Sequence, residues 1–416
     1  MAIVRPFKGI RPVVDKVEQV AARPYDVLNK NEARVEAAGN PYSMYHITKP
    51  EIDLSDKTDP YDPIIYVKGK EYFDKLKNER VFIQDTEKYF YIYAQTMDGR
   101  TQYGLVACSS IEDYQNNIIK KHEYTLPAKE DERTNHIRVS GLNYEPVFFA
   151  YRDVKEINEI VDQIVKTQPA EYDFTTVDGF GHHFWVIKDQ KTIDRIVELF
   201  EQVPYTYIAD GHHRTAAAAR AGIERKQNNQ NHTGEEEYNF FLTVLFPASH
   251  LKILDYNRLI KDLNDLTPEE VINKLEHIFL VEEKESEIYR PEFCHNFSMY
   301  MDGKWYSLTA KKTVCNESNP IDCLDTSIFA LMIAKDIFGI DDQRKSKRID
   351  FVGGIRGLGE LKKRVDSGEM AVAFAFYPVS MEQLFKVADT NNIMPPKVTW
   401  FEPKLRSGLV LHNLND

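Results

Sequence analysis

The chain has 416 residues, of which 42% are hydrophobic, 28% charged and 12% aromatic. This is the composition of a globular protein of two or three domains, and it excludes disorder, a collagen-like repeat or a coiled-coil rod as a description of the whole. A formal charge of −12, from 53 Lys+Arg against 65 Asp+Glu, disfavours non-specific binding to nucleic acid but leaves room for a local basic pocket that takes a small anion.

In chain order, the start MAIVRPFKGIRPVVDKVEQV lacks the apolar centre of a signal peptide. No window approaches 18 apolar residues, so no membrane span is expected and the protein reads as soluble and cytoplasmic. A helix is expected to start at Asn29 and close at Gly39-Asn40, and a second to run from Tyr61 to Leu76. Residues 87–107 read as a β-hairpin turning at Met97-Asp-Gly-Arg100, and 172–188 as another around Asp178-Gly179. Residues 191–200 place Ile193, Ile196, Val197 and Phe200 on one face of a helix. A short strand at 205–209 precedes an Ala-rich helix, 215–221, expected to end at Gly222. An exposed loop at 226–237 and a buried strand, EYNFFLTVLFP, follow. Beyond about 255, helices are expected at 267–279, 325–338, 356–367 and 381–388, and strands at 297–310 and 370–377, before an extended Pro-rich tail. The fold class is α/β or α+β, with a boundary near 250–258. Four cysteines, Cys108, Cys294, Cys315 and Cys323, form no C-x-x-C pair. Four reduced thiols are therefore expected, without a disulfide framework or a structural zinc site.

The densest polar cluster is Asp210-Gly-His-His-Arg214, where a short strand turns into a helix. Gly211 permits a tight turn, and the helix N-terminus beyond it offers unpaired N–H groups and partial positive charge to an anion. His212, His213 and the planar fork of Arg214 add donors suited to phosphate oxygens. Asp210 is a carboxylate fit to hold Mg²⁺ or orient a hydroxyl. A zinc site is disfavoured here, because adjacent His side chains rarely converge on one metal and no third ligand lies at motif spacing.

This turn resembles the phosphate-binding turn of the ParB/sulfiredoxin-like superfamily, and within it the free-serine kinases, which move a phosphoryl group from ADP or ATP to L-serine. Three stretches carry the resemblance in order: Lys121-His-Glu123, Asp210 to Arg214, and Gly368 to Phe374 running on to Pro396-Lys397-Val398-Thr399. The entire chain also resembles a bacterial family of uncharacterised proteins, through PFKGIRPV, AARPYDV, IADGHHR, RIDFVGGIRG and MPPKVTWFEPKLRSG. The sequence departs from the short kinases in two ways. Glu123 and Asp210 are farther apart than the forty-odd residues of those enzymes, and Trp400-Phe401 stands where they have Arg and His.

The resemblance implies a division into an N-terminal extension (1–110), a ParB/sulfiredoxin-like nucleotide-binding domain (111–255) and a C-terminal α/β domain (256–416) whose tail returns to the active site. It implies Glu123 as the base for the acceptor hydroxyl and Asp210 as an acidic group for Mg²⁺ or the acceptor. Gly211, His212, His213, Arg214, Lys397 and Thr399 would bind phosphate, with His122, Arg133 and His182 in support. The cofactors implied are Mg²⁺ and ATP or ADP. The partners implied are a nucleotide and a small amino acid; the lack of a long apolar window and the charge of −12 argue against a membrane and a nucleic acid. The rival reading is a non-catalytic nucleotide-binding regulator of the ParB-like superfamily. A sulfiredoxin-like transfer to an oxidised thiol is disfavoured, because the Cys of such enzymes is His212 here.

Overall fold

The computed structural model describes residues 1–315 and 319–416. The chain forms two compact units, Met1–Leu251 with Pro403–Asp416, and Lys252–Glu402. Both are mixed α/β, and among the described residues no helix is long and apolar enough to cross a membrane.

The first unit is built on a nine-stranded mixed sheet. Its strands are β1 (Val4–Arg5), β2 (Phe90–Met97), β3 (Arg100–Ser110), β4 (Ile119–Lys120), β5 (Val147–Tyr151), β6 (Tyr172–Thr175), β7 (Gly181–Ile187), β8 (Thr206–Asp210) and β9 (Phe240–Pro247). They lie in the order β4-β8-β5-β9-β3-β2-β7-β6, with β1 also on β3. Pairings β4–β8 and β5–β9 are parallel and the rest antiparallel. The two hairpins fall where Asp-Gly predicts them, and at the first both turn residues take the positive φ of a type I′ turn, Asp98 at 52° and Gly99 at 75°. The strands of 90–110 lie inside this sheet, so it has no break at the division expected between 110 and 111. Their buried runs, such as Phe90 to Ala94 and Leu105 to Ser110, are covered on both faces and leave no alternation that would mark them as belonging to one layer or another.

The Ala-rich helix runs over His212–Asn228, earlier and later than the sequence indicates. Its buried residues Ala217, Ala218, Ala219 and Ala221 pack into the core with Ile208, Phe241 and Leu245. Gly222 does not end the helix. A Cβ there would lie 2.1 Å from Ile111 Cδ1 and 2.3 Å from the Tyr238 carbonyl, so the glycine is set by close packing. Gly222→Ala is expected to destabilise the protein by about 1–3 kcal/mol, read as a fall in the denaturant midpoint at unchanged m-value. A change within about 0.3 kcal/mol would refute this packing account.

The second unit carries a six-stranded antiparallel sheet. Its strands are β10 (Tyr256–Ile260), β11 (Phe279–Lys284), β12 (Asn296–Met301), β13 (Lys304–Ala310), β14 (Ile349–Gly353) and β15 (Val372–Phe376), in the order β11-β13-β12-β15-β10-β14. The single strand expected over 297–310 is a hairpin, β12–β13, turning at Asp302-Gly303, where both residues have positive φ. The helix expected over 325–338 is α-helical only over Asp325–Ile328 and continues as a π-helix over Phe329–Lys335. Cys315 and Cys323 form a disulfide, against the expectation of four reduced thiols; Cys108 and Cys294 are free. Eight residues of separation with Cα atoms 5.0 Å apart is a geometry that spacing alone does not reveal.

Candidate active site

The site is assembled at the C-terminal end of β8. The register of β8 against β5 slips between Ile208 and Asp210, a bulge that re-aims the last residue of the strand. Gly211 follows with φ 94°, a left-handed conformation that a side chain would strain. A Cβ there would also lie 2.8 Å from Val147 Cγ1 and 3.1 Å from Arg214 Nε, so the glycine makes room for the arginine beneath the turn. Helix α1 (His212–Asn228) then begins with no side-chain cap and no acidic residue in its first turn. Its positive end is left to whatever occupies the space in front of it.

That space is a recess of about 170 Å³, open to solvent, lined by Tyr25, Asp26, Glu123, Lys129 and Asp210 through Arg214. Arg214 is buried. Its Nη1 donates to the Pro146 carbonyl at 2.7 Å and its Nη2 lies 3.5 Å from Asp210 Oδ2. Burial opposes its charge, but Asp26, Asp210 and Glu145 outweigh that and hold it cationic. Burial alone would raise the Asp210 pKa, yet Lys404 at 3.3 Å and Arg214 bring it down to about 2. Asp210 therefore fits poorly as a Mg²⁺ ligand, because two cations already neutralise its carboxylate. It is better suited to fixing the geometry of Arg214 and Lys404.

His212 Nδ1 is 3.8 Å from Glu123 Oε2, and its ring meets that of His122 edge-on with centroids 4.5 Å apart. His122, Glu123 and His212 each bring one ligand atom within 4.8 Å of the others, so a third ligand for a metal does exist, supplied by His122 rather than by the neighbouring His213. His213 instead accepts from the Leu126 N–H at 2.9 Å, tying the turn to the start of the helix Pro127–Ser140. Glu123 is 44% exposed at its side chain, open enough to meet a substrate.

Arg133 does not line the recess. It lies behind it, stacked on the Tyr25 ring at 3.8 Å and paired with Glu145 at 3.3 Å and with Glu132. Glu145 in turn accepts from the Tyr25 N–H at 3.0 Å, so Arg133 positions the Tyr25-Asp26 wall. His182, expected in support, is fully buried elsewhere in the unit, with Tyr93 Oη at 2.8 Å, Arg406 Nε at 3.3 Å and Thr176 Oγ1 at 3.2 Å. It serves the packing of β2 and β7. Lys397 and Thr399 belong to the second unit. There Lys397 has φ 58°, its ammonium sits over the Phe351 ring at 4.7 Å, and its carbonyl accepts from Arg258 at 3.0 Å. Trp400, where the short kinases have Arg, packs on Gly353 and Tyr256. Lys404, Tyr25 and Asp26 were not assigned to the site from sequence, and nothing in their spacing would have done so.

Burial holds His122, His136, His182 and His212 neutral, with His122 pushed down to about 4 and His182 to about 3. Unfolded histidine titrates near 6.5, so below that pH the unfolded chain takes up protons that the folded chain refuses. The stability these groups contribute is complete above pH 6.5 and is lost as pH falls toward 4. For His122 alone this amounts to roughly 3 kcal/mol. The denaturation midpoint is expected to drop steeply between about pH 6.5 and 4.5, and a flat profile would contradict neutral burial.

A family model described as a protein of unknown function (DUF1015) matches residues 4–327. No curated protein matches the chain. Among solved structures it is similar to a free serine kinase in complex with AMP, at 13% identity and TM-score 0.36, over 78% of this chain and 94% of that one. It is also similar to a conserved hypothetical protein from Pyrococcus furiosus, at 14% identity and TM-score 0.34, over 74% of this chain and 95% of that one. A third is SbnI with a C-terminal truncation from Staphylococcus aureus, at 9% identity and TM-score 0.36, over 73% of this chain and 85% of that one.

Proposed function

We propose that this chain, which belongs to the DUF1015 family of proteins of unknown function, transfers a phosphoryl group from ATP or ADP to the hydroxyl of a small amino acid, with L-serine giving O-phosphoserine. The observation that carries the reading is one recess in which the uncapped N-terminus of α1 and the Arg214 guanidinium face an accessible carboxylate, Glu123. The resemblance of Asp210-Gly-His-His-Arg214 to the turn of the free-serine kinases narrows the acceptor.

In this reading the donor phosphates rest on the backbone N–H groups of His212 to Arg214, with Lys129 and Arg214 supplying charge. Glu123 removes the acceptor hydroxyl proton as its oxygen attacks the terminal phosphorus. The bond to the bridging oxygen breaks, and AMP or ADP leaves. His212, neutral at physiological pH, orients the Glu123 carboxylate. Asp210, itself paired with Lys404, holds Arg214 in place.

The test is incubation with ADP or ATP and a panel of hydroxy-amino acids, followed by ³¹P NMR for phosphoserine. Phosphoserine formation with one donor supports the assignment. Tight nucleotide binding with no phosphorylated product from any donor overturns it in favour of a nucleotide-binding regulator.

A further inference from the structure

The second unit holds a cluster that the reaction above does not use. Cys294 and His295 lie just ahead of β12, and Asp325 opens the helix Asp325–Ile328. Asp325 is 4% exposed and its carboxylate points at this pair. Its Oδ1 is 2.8 Å from His295 Nδ1 and accepts from the His295 N–H at 3.0 Å, and Cys294 Sγ is 3.9 Å away. Cys294 Sγ is 3.7 Å from each ring nitrogen of His295. His295 reaches this position with φ 69°, a left-handed backbone that a side-chain-bearing residue adopts at a cost.

We propose that Cys294, His295 and Asp325 form a binding site for a divalent transition-metal ion of the zinc class. Tetrahedral zinc with ordinary bond lengths separates sulfur from nitrogen or oxygen by about 3.6 Å, and nitrogen from oxygen by about 3.3 Å. The observed separations of 3.7, 3.9 and 2.8 Å need only small side-chain rotations to match. One thiolate, one imidazole and one carboxylate suit zinc and exclude Mg²⁺ and Ca²⁺, which take oxygen ligands. Cys294 and His295 are both partly exposed, which gives the ion a path in and leaves the fourth position to water. Binding releases the Cys294 thiol proton. A thiolate–imidazolium nucleophile is the competing use of the same groups. The labelling experiment below separates the two.

The test uses the full chain without thiol reductant, so that Cys315 and Cys323 stay bonded. Cobalt is expected to give a saturable, stoichiometric thiolate-to-cobalt charge-transfer band that zinc abolishes by displacement. Cobalt at His122, Glu123 and His212 has no thiolate and gives no such band, and Cys108 is buried. Cys294→Ser should remove the band and Asp325→Asn should weaken cobalt binding at least about tenfold, with circular dichroism unchanged. Zinc should slow iodoacetamide labelling of Cys294 by about tenfold or more. Absence of the band at millimolar cobalt overturns the proposal, as does rapid labelling that zinc leaves unaltered, which marks the nucleophile instead.

Discussion

Glu123→Gln is expected to lower turnover by about 10²- to 10⁴-fold while nucleotide affinity stays within about threefold of the parent. The amide keeps the size and hydrogen-bonding reach of the carboxylate but takes no proton at neutral pH. The side chain is 44% exposed and the replacement is isosteric, so it should not disturb folding. The split between lost kcat and retained binding separates a base from a structural carboxylate. Phosphoserine formation at the parent rate would remove Glu123 from the mechanism.

Arg214→Lys is expected to weaken nucleotide binding by about 10- to 150-fold, the loss of one charge-assisted hydrogen bond of about 1.5–3 kcal/mol. The ammonium keeps the charge but cannot hold the Pro146 carbonyl, Asp210 and a phosphate in one plane. Because Arg214 is buried, the substitution also threatens the local fold. Gly211→Ala gives an independent approach through the backbone, where φ 94° and the Val147 contact oppose a side chain. Both variants should lose nucleotide affinity, whereas Arg5→Ala, which removes a surface pair with Glu235 and a contact over the Phe240 ring away from the recess, should not. Isothermal titration with ADP and ATP reads the difference. Unchanged affinity in Arg214→Lys would take this arginine out of the anion site.

Residues 210–214 were legible because they are consecutive, and a strand-to-helix turn with Gly at a positive φ announces itself locally. The rest of the recess was not. Tyr25 and Asp26 reach it because Glu145 accepts from the Tyr25 N–H and Lys49 donates to the Tyr25 carbonyl, contacts between segments far apart in sequence. Lys404 looks like any basic residue of a tail until it is found 3.3 Å from Asp210. His182 misled in the opposite direction, since a polar residue on a strand beside a second His is as readily a buried packing group as a ligand. In the fold, Asp98-Gly99 was a sound signal for a turn, and Asp302-Gly303 carried the same signal inside a run taken as one strand. Gly222 shows the limit of local rules. A glycine after an Ala-rich stretch reads as a stop, but here it is the point of closest approach to the Tyr238 carbonyl.

The first unit is discontinuous, and this has a consequence for biosynthesis. Residues 403–416 supply Lys404 to Asp210, Arg406 to Asp178 and His412 to Glu237, and bury Leu411 and Leu414 in the same unit. The ribosome must therefore make all of 252–402 before the turn at 210–214 receives its second cation. Until then the nascent first unit carries Asp210 and Glu237 without these partners and His182 without Arg406. The second unit, continuous in sequence, needs nothing from later in the chain. Its folding can be finished while the first unit still waits for its closing segment, so the half of the protein that begins first is the half completed last.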